Sequence, residues 1–173
     1  MSNRYLILIA SLTAILIFGC GDSYNFAKDY RFTTSDEVQG YTTIELGGMG
    51  GLKLADGRSS DDYLIVQKYN YKSLTVYYRL LYQHNFPGDT LSPERLIFII
   101  DKQRYILTFL GSDKSGFFER AWVLAELPFL EKIANANKVE LRVEGSSKSI
   151  DYVFNKRYLY FFRRFYKECV QTE

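Results

Sequence analysis

KVELRVE, residues 138–144, decides the fold. Val139, Leu141 and Val143 alternate strictly with Lys138, Glu140, Arg142 and Glu144, and a period of two is the signature of a β-strand. Only one face is apolar, so the strand belongs to an antiparallel sheet with one side against a core and the other in water. Gly145-Ser146-Ser147-Lys148 then returns the chain into a partner strand, Ser149 to Phe154.

Outward from this hairpin the period changes to that of a helix on both sides. Before it, Pro128 suits a first helical turn. Phe129, Leu130, Ile133 and Ala134 recur at helical spacing while Glu131, Lys132 and Asn135 face away. After it, Asn155 is an N-cap for a helix from Lys156 to about Val170. Tyr158, Leu159, Phe161, Phe162, Phe165, Tyr166, Cys169 and Val170 fill one half of its wheel. Lys156, Arg157, Arg163, Arg164 and Lys167 fill most of the other. A basic amphipathic helix can serve a membrane surface, but a sheet with an apolar face to cover makes it a lid. Cys169 then becomes a buried, inert thiol.

The N-terminal half reads as strands. Tyr41 to Leu46 alternates. Leu52 to Leu54 is a short strand, Tyr63 to Tyr69 and Leu74 to Tyr82 make a hairpin, and Arg95 to Asp101 and Arg104 to Leu110 make another, joined by Lys102-Gln103. Phe117 to Leu127, with Trp122, is assigned to strand. Gly111 to Gly116 and His84 to Glu94 read as loops. The sum is an α+β domain with a mostly antiparallel sheet of about six to eight strands and two helices in the C-terminal half. The alternative is a small β-barrel or sandwich closed by the C-terminal helix.

Several stretches invite chemistry and fall short of it. Gly47-Gly48-Met49-Gly50-Gly51 lacks the lysine and hydroxyl that a phosphate-cradling loop needs at fixed spacing, so it reads as a turn or bulge. Asp61 and Asp62 are adjacent, have no calcium-loop spacing around them, and read as solvated loop charges. His84, the one histidine of the chain, has Asp89 and Ser92 near it but no nucleophile motif, and reads as an exposed loop residue. No catalytic residue, metal ligand or cofactor is assigned. Tyrosines crowd residues 63–82, which suits either a half-buried pleated surface or an aromatic binding face.

The first twenty residues carry a different message. Met1-Ser2-Asn3-Arg4 precedes the apolar run YLILIASLTAILIFG, residues 5–19, which is shorter than the ~20 residues that span a bilayer. Ile17-Phe18-Gly19-Cys20 resembles the lipobox of bacterial lipoproteins. The resemblance implies cleavage after Gly19 and diacylation of Cys20, which becomes the new N-terminus. Gly21 after the cysteine implies passage to an outer membrane, with the domain on its periplasmic or surface face. The expected organisation is a signal peptide over 1–19, a lipidated tether over 20–40 and a single α+β domain over 41–173. With Cys20 acylated, Cys169 is left alone and no internal disulfide forms.

Lys and Arg number 22 against 20 Asp and Glu, and cleavage removes Arg4, so no excess charge favours a nucleic-acid partner. The expected function is that of a non-enzymatic envelope lipoprotein, held to the membrane through Cys20, that binds, inhibits or scaffolds another envelope protein. The alternative is a small-molecule, lipid or glycan binder using the aromatic β surface. A hydrolase requires the fold to bring His84 against a serine or an acid.

Overall fold

The computed structural model describes residues 30–36, 41–47, 51–72, 76–85 and 90–171. The expected signal peptide with Gly19, the expected lipidation site Cys20 and the tip of the 84–94 segment lie outside these residues. Among them run β1 (Tyr30–Asp36), β2 (Tyr41–Gly47), β3 (Lys53–Leu54), β4 (Tyr63–Tyr71), β5 (Val76–Asn85), β6 (Pro93–Ile100), β7 (Gln103–Thr108), β8 (Gly111–Ser115) and β9 (Phe118–Ala125). Helix α1 (Leu127–Asn135), β10 (Val139–Gly145), β11 (Ser149–Val153) and helix α2 (Lys156–Phe165) follow, and α2 runs on into a π-helical turn, Tyr166–Val170.

The strands form two antiparallel sheets, not one. The first has the order β1-β2-β4-β5-β9-β8 and the second β3-β11-β10-β6-β7. Eleven strands exceed the six to eight that the periodicity predicts, and the α+β class holds. The extra strands sit at edges. β8 occupies the stretch GSDKS that reads as a loop, and it pairs with β9 from Gly111↔Trp122 to Ser115↔Phe118. Polar, short edge strands resist pairing with other chains, and the same polarity hides them from a search for alternating apolar residues. β1 lies within the residues expected to be tether and pairs with β2 along its whole length.

The hairpin of β6 and β7 turns at Asp101-Lys102, one residue earlier than expected. Both have positive φ, 45° and 76°, which matches the right-handed twist of the flanking strands. Asp101 does double duty, because its carboxylate also accepts from the backbone N–H of Asn137 (3.1 Å) and Lys138 (2.9 Å) at the entry to β10.

One contiguous apolar core joins both sheets and both helices. Leu64, Val66, Leu80, Tyr82 and Val123 face it from the first sheet, and Leu96, Phe98, Leu141, Val143 and Tyr152 from the second. The helices pack onto this core. Phe165 of α2 meets Tyr78 edge-on at 6.3 Å, Phe162 meets Phe154 at 5.5 Å, and Phe129 of α1 meets Phe98 at 5.1 Å. The C-terminal helix is thus a lid, with Tyr158, Leu159, Phe161, Phe162 and Phe165 buried. Asn155 caps it as expected, its Oδ1 accepting from Tyr158 N at 2.9 Å.

Arg163 is not a simple solvated charge. Its Nε donates to Ala134 O (3.0 Å) and its Nη2 to Ala136 O (2.8 Å), closing the C-terminal end of α1, where carbonyls lack helical partners. Lys68, on the inner face of β4, is buried and sends its ammonium to Cys169 O at 2.7 Å. Among the described residues no helix is long and apolar enough to cross a membrane.

Candidate functional site

Two polar constellations emerge, one inside the domain and one on its surface. The inner one corrects two sequence readings. β5 runs on to Asn85, so His84 continues the inward alternation of Leu80 and Tyr82 and is 6% exposed. Asp62 is 4% exposed and faces it, while Asp61 does not share the site. The structure therefore brings His84 to an acid, although the acid is neither Asp89 nor a neighbour in sequence.

Asp62 Oδ1 lies 2.9 Å from His84 Nδ1 and accepts from Asn85 N at 2.9 Å. Asp62 Oδ2 accepts from the Tyr152 hydroxyl, which is 2.7 Å from the Tyr82 hydroxyl. Burial on its own would raise the Asp62 carboxyl. The bonds from His84, Tyr152 and Asn85 outweigh it, and the group is held below the usual carboxylate value. The carboxylate is thus an acceptor only, which fixes the proton order. His84 donates through Nδ1, Tyr152 donates to Asp62, and Tyr82 donates to Tyr152. Burial, and then the nearby Asp62 charge, push Tyr82 well above the ordinary phenol value. Burial first, then Tyr82 and Asp62, raise Tyr152 as well. The chain of bonds is buried throughout. It links β5 of one sheet to β11 of the other and to the loop before β4.

Glu119 makes a second inward anchor. Its Oε2 accepts from Leu91 N (2.8 Å) and Ser92 N (3.0 Å), fixing the approach to β6, with Ser92 at a positive φ of 48°. Among the described residues no three His, Cys, Asp or Glu side chains gather as a metal-ligand set.

The surface constellation lies on the outer face of the first sheet, where the tyrosine-rich strands meet Trp122. Tyr69 pairs directly with Tyr77 and Gln67 with Arg79 across β4 and β5. Leu81 pairs with Trp122 across β5 and β9. Arg79 is therefore diagonal to both Tyr69 and Trp122, within reach of long side chains. Its guanidinium carbon is 4.7 Å from the Tyr69 ring centre and 5.9 Å from that of Trp122. Tyr69 stacks on Tyr77 at 4.7 Å, and Tyr77 on Tyr71 at 5.5 Å. Five planar groups thus stand in a column across three strands, in the order Trp122, Arg79, Tyr69, Tyr77, Tyr71.

The column is pinned at several points. Arg79 Nε donates to Gln67 Oε1 at 2.6 Å, and the Tyr71 and Tyr77 hydroxyls meet at 3.2 Å. Burial, then the Tyr71 contact, raises the Tyr77 phenol. At the far end Gly111 of β8 backs onto Trp122, and a β-carbon there would fall 2.3 Å from the indole Cζ2. Each cation–π contact contributes about 0.5–2 kcal/mol and each ring pair about 0.5–1.5 kcal/mol. The geometry is therefore held by contacts within the face itself. The sequence places Tyr77 and Arg79 on one face; Trp122 joins them only through strand order, which no local period reveals.

The outer face of the second sheet behaves differently. A groove there of about 440 Å3 is lined by Ile97, Ile99, Arg104, Arg142 and Asp151 among others. Arg142 closes on Asp151 with two bonds, 2.6 and 2.9 Å, and Glu140 pairs with Lys138 at 2.5 Å, which leaves Arg104 as the lining charge with no ion pair among the described residues. No family model, curated protein or solved structure matches this chain.

Proposed function

We propose that this chain is a non-enzymatic envelope lipoprotein, anchored through Cys20 in an outer membrane, whose domain binds another envelope protein through the outer face of its first sheet. The observation that carries the reading is the division of chemistry between interior and surface. Groups suited to proton transfer, Asp62, His84, Tyr82 and Tyr152, are 6% exposed or less and bonded to one another. The outer-face column instead holds the half-buried Trp122, Arg79, Tyr77 and Tyr71 around a buried Tyr69, the residue types that dominate binding energy at protein interfaces. The lipobox-like IFGC supplies the anchor, and the near balance of charge gives no support to a nucleic-acid partner.

The test is photo-crosslinking in intact cells. A photo-reactive residue at position 77 should join the lipoprotein to a discrete protein, and one at Lys167, on the exposed side of the C-terminal turn, should not. Equal products from both positions would sink the reading. Cys20→Ala should abolish acyl labelling and move the protein out of the detergent phase; labelling that survives the change would remove the anchor.

A further inference from the structure

Arg79 is gripped on every side except the one an anion would use. Its Nε is on Gln67 and its two faces are against Tyr69 and Trp122. A guanidinium presents five N–H donors in a planar fork, and here the terminal amino groups have no partner among the described residues. No carboxylate among those residues forms an ion pair with it. Such a fork, fixed in orientation, matches a carboxylate with two parallel bonds.

The stacking decides what else the face can recognise. Ring faces in the column are turned toward one another, so an approaching molecule meets ring edges, hydroxyls and the guanidinium fork. Ring edges carry the positive part of the aromatic quadrupole. A sugar ring or a base that needs an open π-face finds few here, whereas an anionic acceptor is suited. Leu124, the direct cross-strand partner of Arg79, is 49% exposed and gives the fork an apolar border. Covering that border would exclude water and strengthen a charged pair.

Arg120 repeats the arrangement. Its Nε donates to Gln83 Oε1 at 3.0 Å and its guanidinium carbon lies 4.4 Å from the Phe118 ring centre, again with no carboxylate bound among the described residues. Both arginines are oriented by a glutamine and an aromatic ring rather than by an acid. The nearest acidic register positions are Asp113, opposite Arg120, and Glu45, opposite Gln67. Arg120 stands opposite Gln83, four residues along β5 from Arg79. At about 3.3 Å per residue and 4.8 Å between strands, the two backbone positions are roughly 14 Å apart. Four residues of extended chain span the same distance and bring side chains i and i+4 to one face.

We propose that this face takes an extended acidic segment of the partner protein, with one Asp or Glu carboxylate bidentate on Arg79 and another, four residues away, on Arg120. The proposal rests on the protein-binding reading above and adds the chemistry that the partner must carry. Trp122 is the single tryptophan of the chain, so its fluorescence reports on Arg79 directly.

The full chain, reconstituted in phosphatidylcholine vesicles, is titrated with a capped, otherwise neutral peptide bearing Glu at i and i+4, and with its Gln–Gln counterpart. The Glu peptide should give a saturable change in Trp122 emission that weakens with salt, and the Gln peptide none. Arg79→Gln should weaken the Glu peptide at least tenfold. Arg79→Lys, which keeps the charge and loses the fork, should weaken it by a similar factor. Both variants are first shown to keep the wild-type circular dichroism. A response to the Glu peptide that survives Arg79→Gln, or wild-type affinity in Arg79→Lys, overturns the bidentate site. No response to the Glu peptide overturns the acidic segment. An Arg79-dependent response to polygalacturonate or to phosphatidylglycerol in the vesicles, with none to the peptide, replaces it by a glycan or a membrane. Crosslinks from position 77 that persist while the peptide fails leave the binding face standing and remove only the acidic segment.

Discussion

The hydroxyls of Tyr82 and Tyr152 meet at 2.7 Å between two sheets that share no backbone hydrogen bond. Because Tyr152 gives its proton to Asp62, the pair has a direction, and the two tyrosines are not equivalent. Tyr152→Phe takes a donor from a buried carboxylate and an acceptor from Tyr82, and should cost about 1–3 kcal/mol. Tyr82→Phe removes only the terminal donor and should cost about 0.5–1.5 kcal/mol. Denaturant unfolding of the two variants checks the order; a larger cost for Tyr82→Phe would overturn the proton assignment.

Stability should fall at both ends of the pH scale, for separate reasons. The Asp62 carboxyl is held low in the folded state, so its contribution is present above the ordinary carboxylate value of 3.8 and is lost as pH falls through the lowered one. Asp62→Asn should flatten the acid limb. Tyr82 and Tyr152 are raised, so their contribution is full below about pH 10 and declines above it, where the unfolded chain ionises first. Each phenol that titrates only on unfolding lowers stability by about 1.4 kcal/mol per pH unit in that range. Unfolding midpoints from pH 2 to 11.5 give both limbs, and an alkaline limb unchanged in Tyr152→Phe would count against the assignment.

The helical lid separates packing from charge. Phe162 and Phe165 are buried, and truncating either to Ala should cost about 3–5 kcal/mol. Arg163→Glu removes two bonds to the end of α1 and should cost about 1–3 kcal/mol. Arg164→Glu loses the pair with Glu168, 2.7 Å away on the same helical face, and should cost about 0–1 kcal/mol. Thermal melts of the four variants read the ranking. Comparable losses at Arg163 and Arg164 would mean that the contacts with Ala134 and Ala136 contribute nothing.

Gly111 tests whether the column is rigid. A methyl group there overlaps Trp122, so Gly111→Ala should shift the indole and alter Trp122 emission. Gly116→Ala, at a glycine on the same hairpin with open space around it but a φ of 56°, should leave the emission unchanged while costing some stability. Emission spectra of the two variants make the comparison, and identical spectra would show that the sheet edge yields rather than the ring.

What the residues disclosed in advance follows from where period carries information. β10 and α2 were legible because one side of each is apolar at a fixed spacing. β8 was not, since a polar edge strand has no apolar period to display. His84 did carry a signal: it stands two residues beyond Tyr82 on an alternation that continues past the expected strand end. Asp62 carried none, because its partner Tyr152 is 90 residues away and only tertiary closure makes the acid an interior group. The aromatic column divides likewise. Tyr77 and Arg79 share a face by alternation, whereas their meeting with Trp122 depends on β9 pairing with β5 across the whole β6–β8 segment.

Lys68 bears on the order in which the molecule can be completed. Its buried ammonium on β4 is answered by the carbonyl of Cys169, 101 residues later. Until that last turn exists, the first sheet has a cation facing what will be its core, and nothing from the final helix lies over it. A chain still short of residue 169 therefore lacks this tie between the first sheet and the final turn, however early the hairpins form.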